Sequence, residues 1–193
     1  MSGQSTTFTF VCDSERRVSV LAGLPNNDLS AIDDLSEDNM LYGSSRNNAM
    51  EWSLNHLIRK CGLPGLQHLQ KGFDPATGAT VDGGWWPTWL APDELPRTVA
   101  ALDALLERAR TEPAQMLAAL GDQGYGCEPD DLRALAIATP ASRADAAAAY
   151  RKARQGNDGD DVHSLIAFVH AHRAMLDLAR MRGNGAMYLA FLY

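Results

Sequence analysis

The sequence lacks any long apolar run. No window approaches the roughly 18 uninterrupted apolar residues that a transmembrane helix requires, and the opening MSGQSTTFTF has neither the basic nor the apolar region of a signal peptide. We therefore expect a cytoplasmic protein with no membrane partner.

Cysteine and positive charge are also scarce. Cys12, Cys61 and Cys127 are an odd number, far apart in the chain and without a CxxC pair, which favours reduced thiols over a disulfide framework or a zinc site. Lysine and arginine total 17 against 24 acidic residues, so the net charge is −7. Nucleic-acid binding requires clustered Lys and Arg, so this balance argues against a nucleic-acid partner and is compatible with a basic protein partner.

The familiar catalytic motifs are absent as well. There is no GxSxG, HExxH, SxxK or Walker loop in the chain. His163 and His170 lie two helical turns apart, about 10 Å along the axis, which is too far for both to bind one metal ion, and we interpret them as surface residues. No cysteine has the local positive charge that activates a thiol. We therefore expect a non-enzymatic protein with no metal and no cofactor.

What is present suits one domain of 193 residues, with 46% hydrophobic and 21% charged residues. Its organising stretch runs from Asp160 to Tyr193. At 100° per residue one apolar arc of a long helix collects Leu165, Phe168, Val169, His172, Met175, Leu176 and Ala179. Gly183 to Gly185 ends this helix. Met187–Tyr193 is apolar throughout and predicts a central strand buried on both faces.

The other end of the chain supplies a partner for that strand. Thr6–Cys12 alternates and is rich in Thr, Phe and Val, which predicts a strand beside Met187–Tyr193. Asp13-Ser14 resembles an N-cap, and the spacing of Val18, Leu21 and Ala22 favours a short helix ending near Gly23. The alternative is a hairpin with Arg17–Leu21 as its second strand. The predicted fold class is α+β: a mostly helical single domain, residues 1–193, with a small sheet pairing the N-terminal and C-terminal strands.

Between the two ends the pattern is mainly helical. We predict helices over Asn47–Cys61, from Leu95 to Ala109, over Ala114–Leu120, from Glu128 to Ala138 and from Pro140 to Arg154. Leu24–Ser45 is polar and acidic, with one or two helical turns. Leu63–Asp82 is loop-like, and Gly83–Leu90 (GGWWPTWL) is interpreted as a tryptophan loop.

Four stretches are similar to the YfbM-like bacterial family of unknown function. FVCDSERRVSVLAG resembles its opening strand and helix, AMEWSLNHLI its Trp-containing helix, and GGWWPTWLAPDEL its glycine–aromatic loop and helix start. LIAFVHAHRAMLDLARMRGNGAMYLAFL resembles its final helix, glycine turn and strand. The resemblance covers about half of the chain in patches, and this chain has an insert around Asp122–Gln155. It implies an α+β fold and a cytoplasmic location, and offers no catalytic residues.

The function that these features favour is protein binding. The leading hypothesis is an acidic immunity protein that binds and neutralises an antibacterial toxin, and a basic toxin would complement its charge. Its predicted partner-binding residues come from the acidic segment and the tryptophan loop: Asp33, Asp34, Glu37, Asp38, Trp85, Trp86 and Trp89. Tryptophans also plug core edges, and we assign that role to two of the three. The alternatives are a small-molecule-binding protein or enzyme, with a pocket between the tryptophan loop and the final helix, and a homo-oligomeric module.

Overall fold

The computed structural model describes residues 4–36, 39–46, 49–70, 84–124, 126–157 and 161–192. These ranges form an α+β fold with one antiparallel sheet. The strands are β1 (Gln4–Cys12), β2 (Met40–Arg46), β3 (Gly84–Leu90) and β4 (Gly185–Leu192). The helices are α1 (Ser14–Gly23), α2 (Ala49–Cys61), α3 (Leu95–Thr111), α4 (Pro113–Leu120), α5 (Pro129–Ile137), α6 (Arg143–Asn157) and α7 (Val162–Met181). Short 3-10 turns occupy Leu24–Asn26, Ser30–Ile32, Pro64–Leu69 and Gly121–Gly124.

The sheet joins the two ends of the chain, as predicted. Its strand order is β2-β1-β4-β3, so β4 lies between β1 and β3. Phe8 of β1 and Pro87 of β3 both pair with Leu189. Residues 186–190 are fully buried, which fits a strand covered on both faces.

The two faces of the sheet are covered unequally. The inner face packs against α7 and the other large helices, and this layer holds the main hydrophobic core. The outer face carries a smaller cluster, in which Phe10, Cys12 and Leu189 of the sheet meet Val20 of α1 and Ile32 of the second 3-10 turn. In the described ranges, the buried residues that cover the outer face come only from α1 and from the 3-10 turns Leu24–Asn26 and Ser30–Ile32.

Helix α7 forms as its periodicity predicts. Its N-cap is Asp161, whose carboxylate accepts a hydrogen bond from the Ser164 N–H at 2.7 Å. All seven residues of the predicted arc are buried. Gly183 adopts φ +67°, a left-handed conformation that suits glycine and ends the helix.

Two segments differ from the prediction. Gly83–Leu90 was expected to be a loop, but residues 84–90 form strand β3 and pair along β4. Pro87 is tolerated there because β3 pairs on one side only in the described residues, and a proline can direct its missing N–H away from the ladder. Strand β2 was missed, since residues 40–46 were grouped with a polar segment.

Helix α1 confirms the cap and the length that the sequence predicts, and the alternative hairpin is wrong. The carboxylate of Asp13 accepts a hydrogen bond from the Arg16 N–H at 2.8 Å. However, the apolar residues whose spacing predicted the helix do not face the core. Val18 and Leu21 are 67% and 38% exposed, and Val20 is the residue that is buried.

None of the helices in the described ranges is both long enough and apolar enough to cross a membrane.

Candidate functional site

The exposed side of α1 carries two apolar side chains. Val18 and Leu21 lie in solvent, although their spacing is typical of a buried face. A groove of about 350 Å³ runs between α1 and the second 3-10 turn and is lined by Asp13, Glu15, Arg16, Ser19, Ser30, Ala31 and Asp34. We call Val18, Leu21 and this groove the α1 surface. It combines apolar side chains with an acidic depression.

The groove already holds one guanidinium. Arg16 donates to both carboxylate oxygens of Asp34, at 2.5 and 2.8 Å, and to the carbonyl of Ala31 at 2.7 Å. The Arg16 hydrogen bond lowers the pKa of Asp34, so that its carboxylate is ionised at neutral pH. Asp13 and Glu15 add two more carboxylates to the groove, which therefore presents an excess of negative charge.

The acidic residues predicted to bind a partner fall into two groups. Asp33 and Asp34 are exposed at the end of the second 3-10 turn, and of the two only Asp34 lines the groove. Glu37 and Asp38 lie outside the described residues.

The three tryptophans of β3 point to opposite faces of the sheet, because successive residues of a strand alternate. Trp85 and Trp89 pack against the outer cluster, while Trp86 packs against the main core. All three are half-buried. The Trp85 indole N–H donates to Asn27 at 2.9 Å, and the Arg17 guanidinium of α1 lies 4.4 Å from the Trp89 ring centroid. The outer face therefore brings Trp85 and Trp89, but not Trp86, to the side that carries the α1 surface.

An aromatic strip crosses all four strands on this outer face. Ring centroids of Tyr42 and Phe8 are 5.4 Å apart, those of Phe8 and Trp85 6.4 Å, and those of Trp85 and Phe191 4.7 Å. Tyr42 is 45% exposed and the other three are half-buried. The sequence does not predict this strip, because the position of Tyr42 beside Phe8 depends on the register of β2, which was not recognised as a strand.

On the inner side of the sheet two histidines form a buried hydrogen-bonded chain. Nε2 of His172 lies 2.8 Å from Nε2 of His68, and its Nδ1 lies 2.8 Å from the Thr9 hydroxyl. His172 is fully buried, and this burial lowers its pKa to about 3. A neutral imidazole has one N–H donor and one acceptor nitrogen, so His172 donates in one of these contacts and accepts in the other. His172 was assigned to the apolar arc from sequence, whereas His68 was not singled out.

The other histidines of α7 differ from one another. His163 is exposed, as predicted. His170 was predicted to lie on the surface, and this is wrong: it is 8% exposed, with its Nε2 3.3 Å from the carbonyl of Leu135. Burial lowers its pKa, which keeps the ring neutral at neutral pH.

Two of the three cysteines, Cys12 and Cys127, have a raised thiol pKa. Burial, with the neighbouring Asp13 carboxylate, raises the pKa of the Cys12 thiol to about 12. Burial also raises the pKa of Cys127. Both thiols are therefore protonated at neutral pH, unlike a nucleophilic cysteine. Within the described ranges no three His, Cys, Asp or Glu side chains are grouped as a metal ion would need.

A pocket of about 520 Å³ lies beside the tryptophan strand. Its lining includes Thr88 to Leu90 of β3, His68, Asp93 and Glu94 just before α3, and Arg97 and Thr98 in the first turn of α3. The pocket predicted from the sequence lies between the tryptophans and the final helix. In the structure its described lining comes from α3 and the Pro64–Leu69 turn, and α7 reaches it only indirectly, through the contact of His172 with His68.

Comparison with known proteins adds no further indication. No protein-family model, curated protein or solved structure matches the chain.

Proposed function

We propose that this protein is a non-enzymatic binding module whose partner is a basic protein that docks on the α1 surface. The observation that carries the proposal is the exposure of Val18 and Leu21 on the helix that also forms one wall of an acidic groove. Val18 and Leu21 are neighbours at i and i+3 on the helix surface, and contiguous exposed apolar side chains mark surfaces that partners cover. Asp13 and Glu15, the two groove carboxylates other than the Arg16-bound Asp34, complement lysine or arginine side chains, and the hydrogen bonds from Arg16 to Asp34 illustrate that chemistry.

The specific form of the proposal is an immunity protein that neutralises an antibacterial toxin in the cytoplasm. An inhibitor needs complementarity to its target and no chemistry of its own, which agrees with the protonated thiols and the absence of catalytic motifs. The resemblance to the YfbM-like family is compatible with this role but does not specify it. The aromatic strip on the same side of the sheet offers additional contact area of the kind that tryptophan and tyrosine provide in interfaces.

The test measures binding by calorimetry between the purified protein and toxins encoded beside its gene. Val18→Asp places a charge in the apolar part of the surface and is expected to raise Kd about tenfold or more. Ile137→Asp is the matched control, since Ile137 is 56% exposed on α5, a helix of the inner layer. This control is expected to leave Kd unchanged.

A second pair of variants tests the acidic groove. Glu15→Lys is expected to weaken binding and to reduce its dependence on salt, because charge pairs across an interface are screened by ions. Glu112→Lys is the control, since Glu112 is also an exposed carboxylate at a helix N-terminus. If Val18→Asp binds the toxin with the same affinity as the wild-type protein, the α1 surface is not the binding site. A complex that forms without reducing toxin activity would contradict the proposed role as an inhibitor. Self-association through Val18 would favour the homo-oligomeric module instead.

A further inference from the structure

The exposed face of α1 is one continuous arc of the helix. At about 100° per residue, an arc of about 160° collects five exposed side chains in the order Leu21, Val18, Ala22, Glu15 and Ser19. Val20, which fills the outer cluster, lies on the opposite side of the helix. Glu15 and Ser19 also line the groove. The arc therefore has an apolar half and a polar half, and the polar half adjoins the groove.

The negative charge of the α1 surface is concentrated at the N-terminal end of the helix. Asp13 is the N-cap and Glu15 lies in the first turn, and both line the groove. The other acidic residue of the groove, Asp34, is neutralised by the two hydrogen bonds from Arg16. Residues 20–27, at the other end of α1 and beyond it, are uncharged. A partner therefore meets carboxylates at one end of the arc and apolar side chains along the rest.

An α-helix is the element that fits such an arc. Helices pack by inserting the ridges of one, made by side chains three or four residues apart, into the grooves of the other, and Val18, Leu21 and Ala22 have this spacing. Lysine and arginine are favoured in the last turn of a helix, where they meet the negative end of its dipole. A helix antiparallel to α1 places its last turn beside Asp13 and Glu15, and it also brings opposite ends of the two helix dipoles together.

We propose that the partner contacts the α1 surface with an amphipathic α-helix, which lies antiparallel to α1 and carries lysine or arginine in its last turn. This inference rests on the proposed function and specifies which element of the partner docks. The apolar stripe of the partner helix covers Val18, Leu21 and Ala22, and its basic end reaches Asp13 and Glu15. The α1 helix of a second copy does not meet this requirement, because its last turn has no basic residue.

The first experiment measures by calorimetry how three stapled helical peptides bind the purified protein. The peptides have about 18 residues, enough for a stable helix, and share one composition. The first has leucines at i, i+3, i+4 and i+7 and three lysines in its last turn. The second has the same leucines but carries the lysines in its first turn. The third keeps the lysines in its last turn but has the leucines scattered around the helix.

The first peptide is expected to bind about tenfold more tightly than the other two, because it alone provides both the apolar stripe and the charge at the matching end. If the third peptide binds as tightly as the first, the interaction is charge attraction alone and the proposal is overturned. Equal or tighter binding of the second peptide overturns the antiparallel orientation, and binding by none of the three overturns the helical partner.

Variants of the protein then locate the bound peptide. Val18→Asp is expected to weaken binding of the first peptide about tenfold or more, whereas Ile137→Asp on α5 leaves it unchanged. Glu15→Lys is expected to weaken binding of the first peptide and to strengthen binding of a version whose lysines are replaced by glutamates, a gain that unfolding cannot imitate. If Glu15→Lys gives no preference for the glutamate version, the basic end of the helix does not lie beside Glu15 and the proposal is overturned.

The toxin measurements test the proposed function separately. A toxin that binds through Val18 while none of the peptides binds overturns only the helical partner. A toxin whose affinity is unchanged by Val18→Asp overturns the proposed function, even where the first peptide binds α1 as expected.

Discussion

At the scale of single residues, the clearest consequence concerns His172. Because burial lowers its pKa to about 3, we predict that its ring stays neutral in the folded protein at pH 5, where an exposed histidine is mostly protonated. Nitrogen-15 NMR of the imidazole measures this directly, since protonated and neutral rings have different shifts.

The same residue links stability to pH. The unfolded chain protonates His172 near pH 6.5, whereas the folded chain does so only near pH 3. The unfolded state therefore binds one more proton between these values, and the free energy of unfolding falls as pH falls, by up to about 1.4 kcal/mol per pH unit from this group. Urea titrations of wild type and His172→Gln should show a shallower pH slope for the variant. A ring that titrates near pH 6.5 in the folded protein would contradict this account.

Individual residues differ in how far the sequence predicts them. His172 was assigned to the apolar arc because angle along one helix is a local property. Its partner His68 lies 104 positions away in sequence, and only the docking of the Pro64–Leu69 turn brings the two rings together. Gly65 permits that docking, because a Cβ there would lie 2.7 Å from the methyl group of Ala101 on α3. No local pattern indicates this approach.

At the scale of elements, the start of α7 depends on one side chain. The carboxylate of Asp161 caps the N–H of Ser164 at 2.7 Å. We predict that Asp161→Ala lowers the free energy of unfolding by about 1 kcal/mol, the usual cost of losing a helix cap. Asp161→Asn keeps an acceptor at the same position and is expected to cost less than about 0.5 kcal/mol. Chemical denaturation of the three proteins checks this, and equal losses for both variants would argue against the cap.

Helix α7 was predictable because one face is buried and its cap is local, whereas α1 was predictable from its local cap and its spacing although that spacing is exposed. The segment GGWWPTWL was interpreted as a loop because glycine, proline and clustered tryptophans indicate a turn when considered locally. It forms a strand because β4 supplies the ladder partner and the sheet has a core on both faces, so Trp85 and Trp86 can both pack. The spacing of Val18 and Leu21 predicted the existence of α1 but not its orientation, which Val20 determines by filling the outer cluster.

At the scale of the whole molecule, the α+β class and the pairing of the chain ends followed from the sequence. Two apolar segments at opposite ends of the chain had no closer strand partner, and a strand buried on both faces must have neighbours. The strand order did not follow, because β2 and β3 were not recognised as strands. Their positions at the two edges depend on long-range registers with β1 and β4, which no local pattern specifies.

This architecture makes β4 the element on which the sheet depends. It is the only strand that pairs with both β1 and β3, and in the described residues β3 has no other strand beside it. Residues 186–190 are fully buried between the two cores. We therefore predict that a chain ending at Gly183 loses cooperative unfolding, although its helical segments retain some local structure. Thermal melts followed by circular dichroism, with size-exclusion chromatography, check this.

A milder change at the same strand provides the comparison. Met187→Ala keeps every backbone hydrogen bond of β4 and removes only side-chain packing from the outer cluster, where Met187 is fully buried. We expect this variant to remain folded and to lose about 2–5 kcal/mol, as large-to-small core substitutions do. If the shortened chain instead unfolds cooperatively with a transition like that of Met187→Ala, then the helical layer is stable without the sheet, and the pairing of the chain ends is not what holds the domain together.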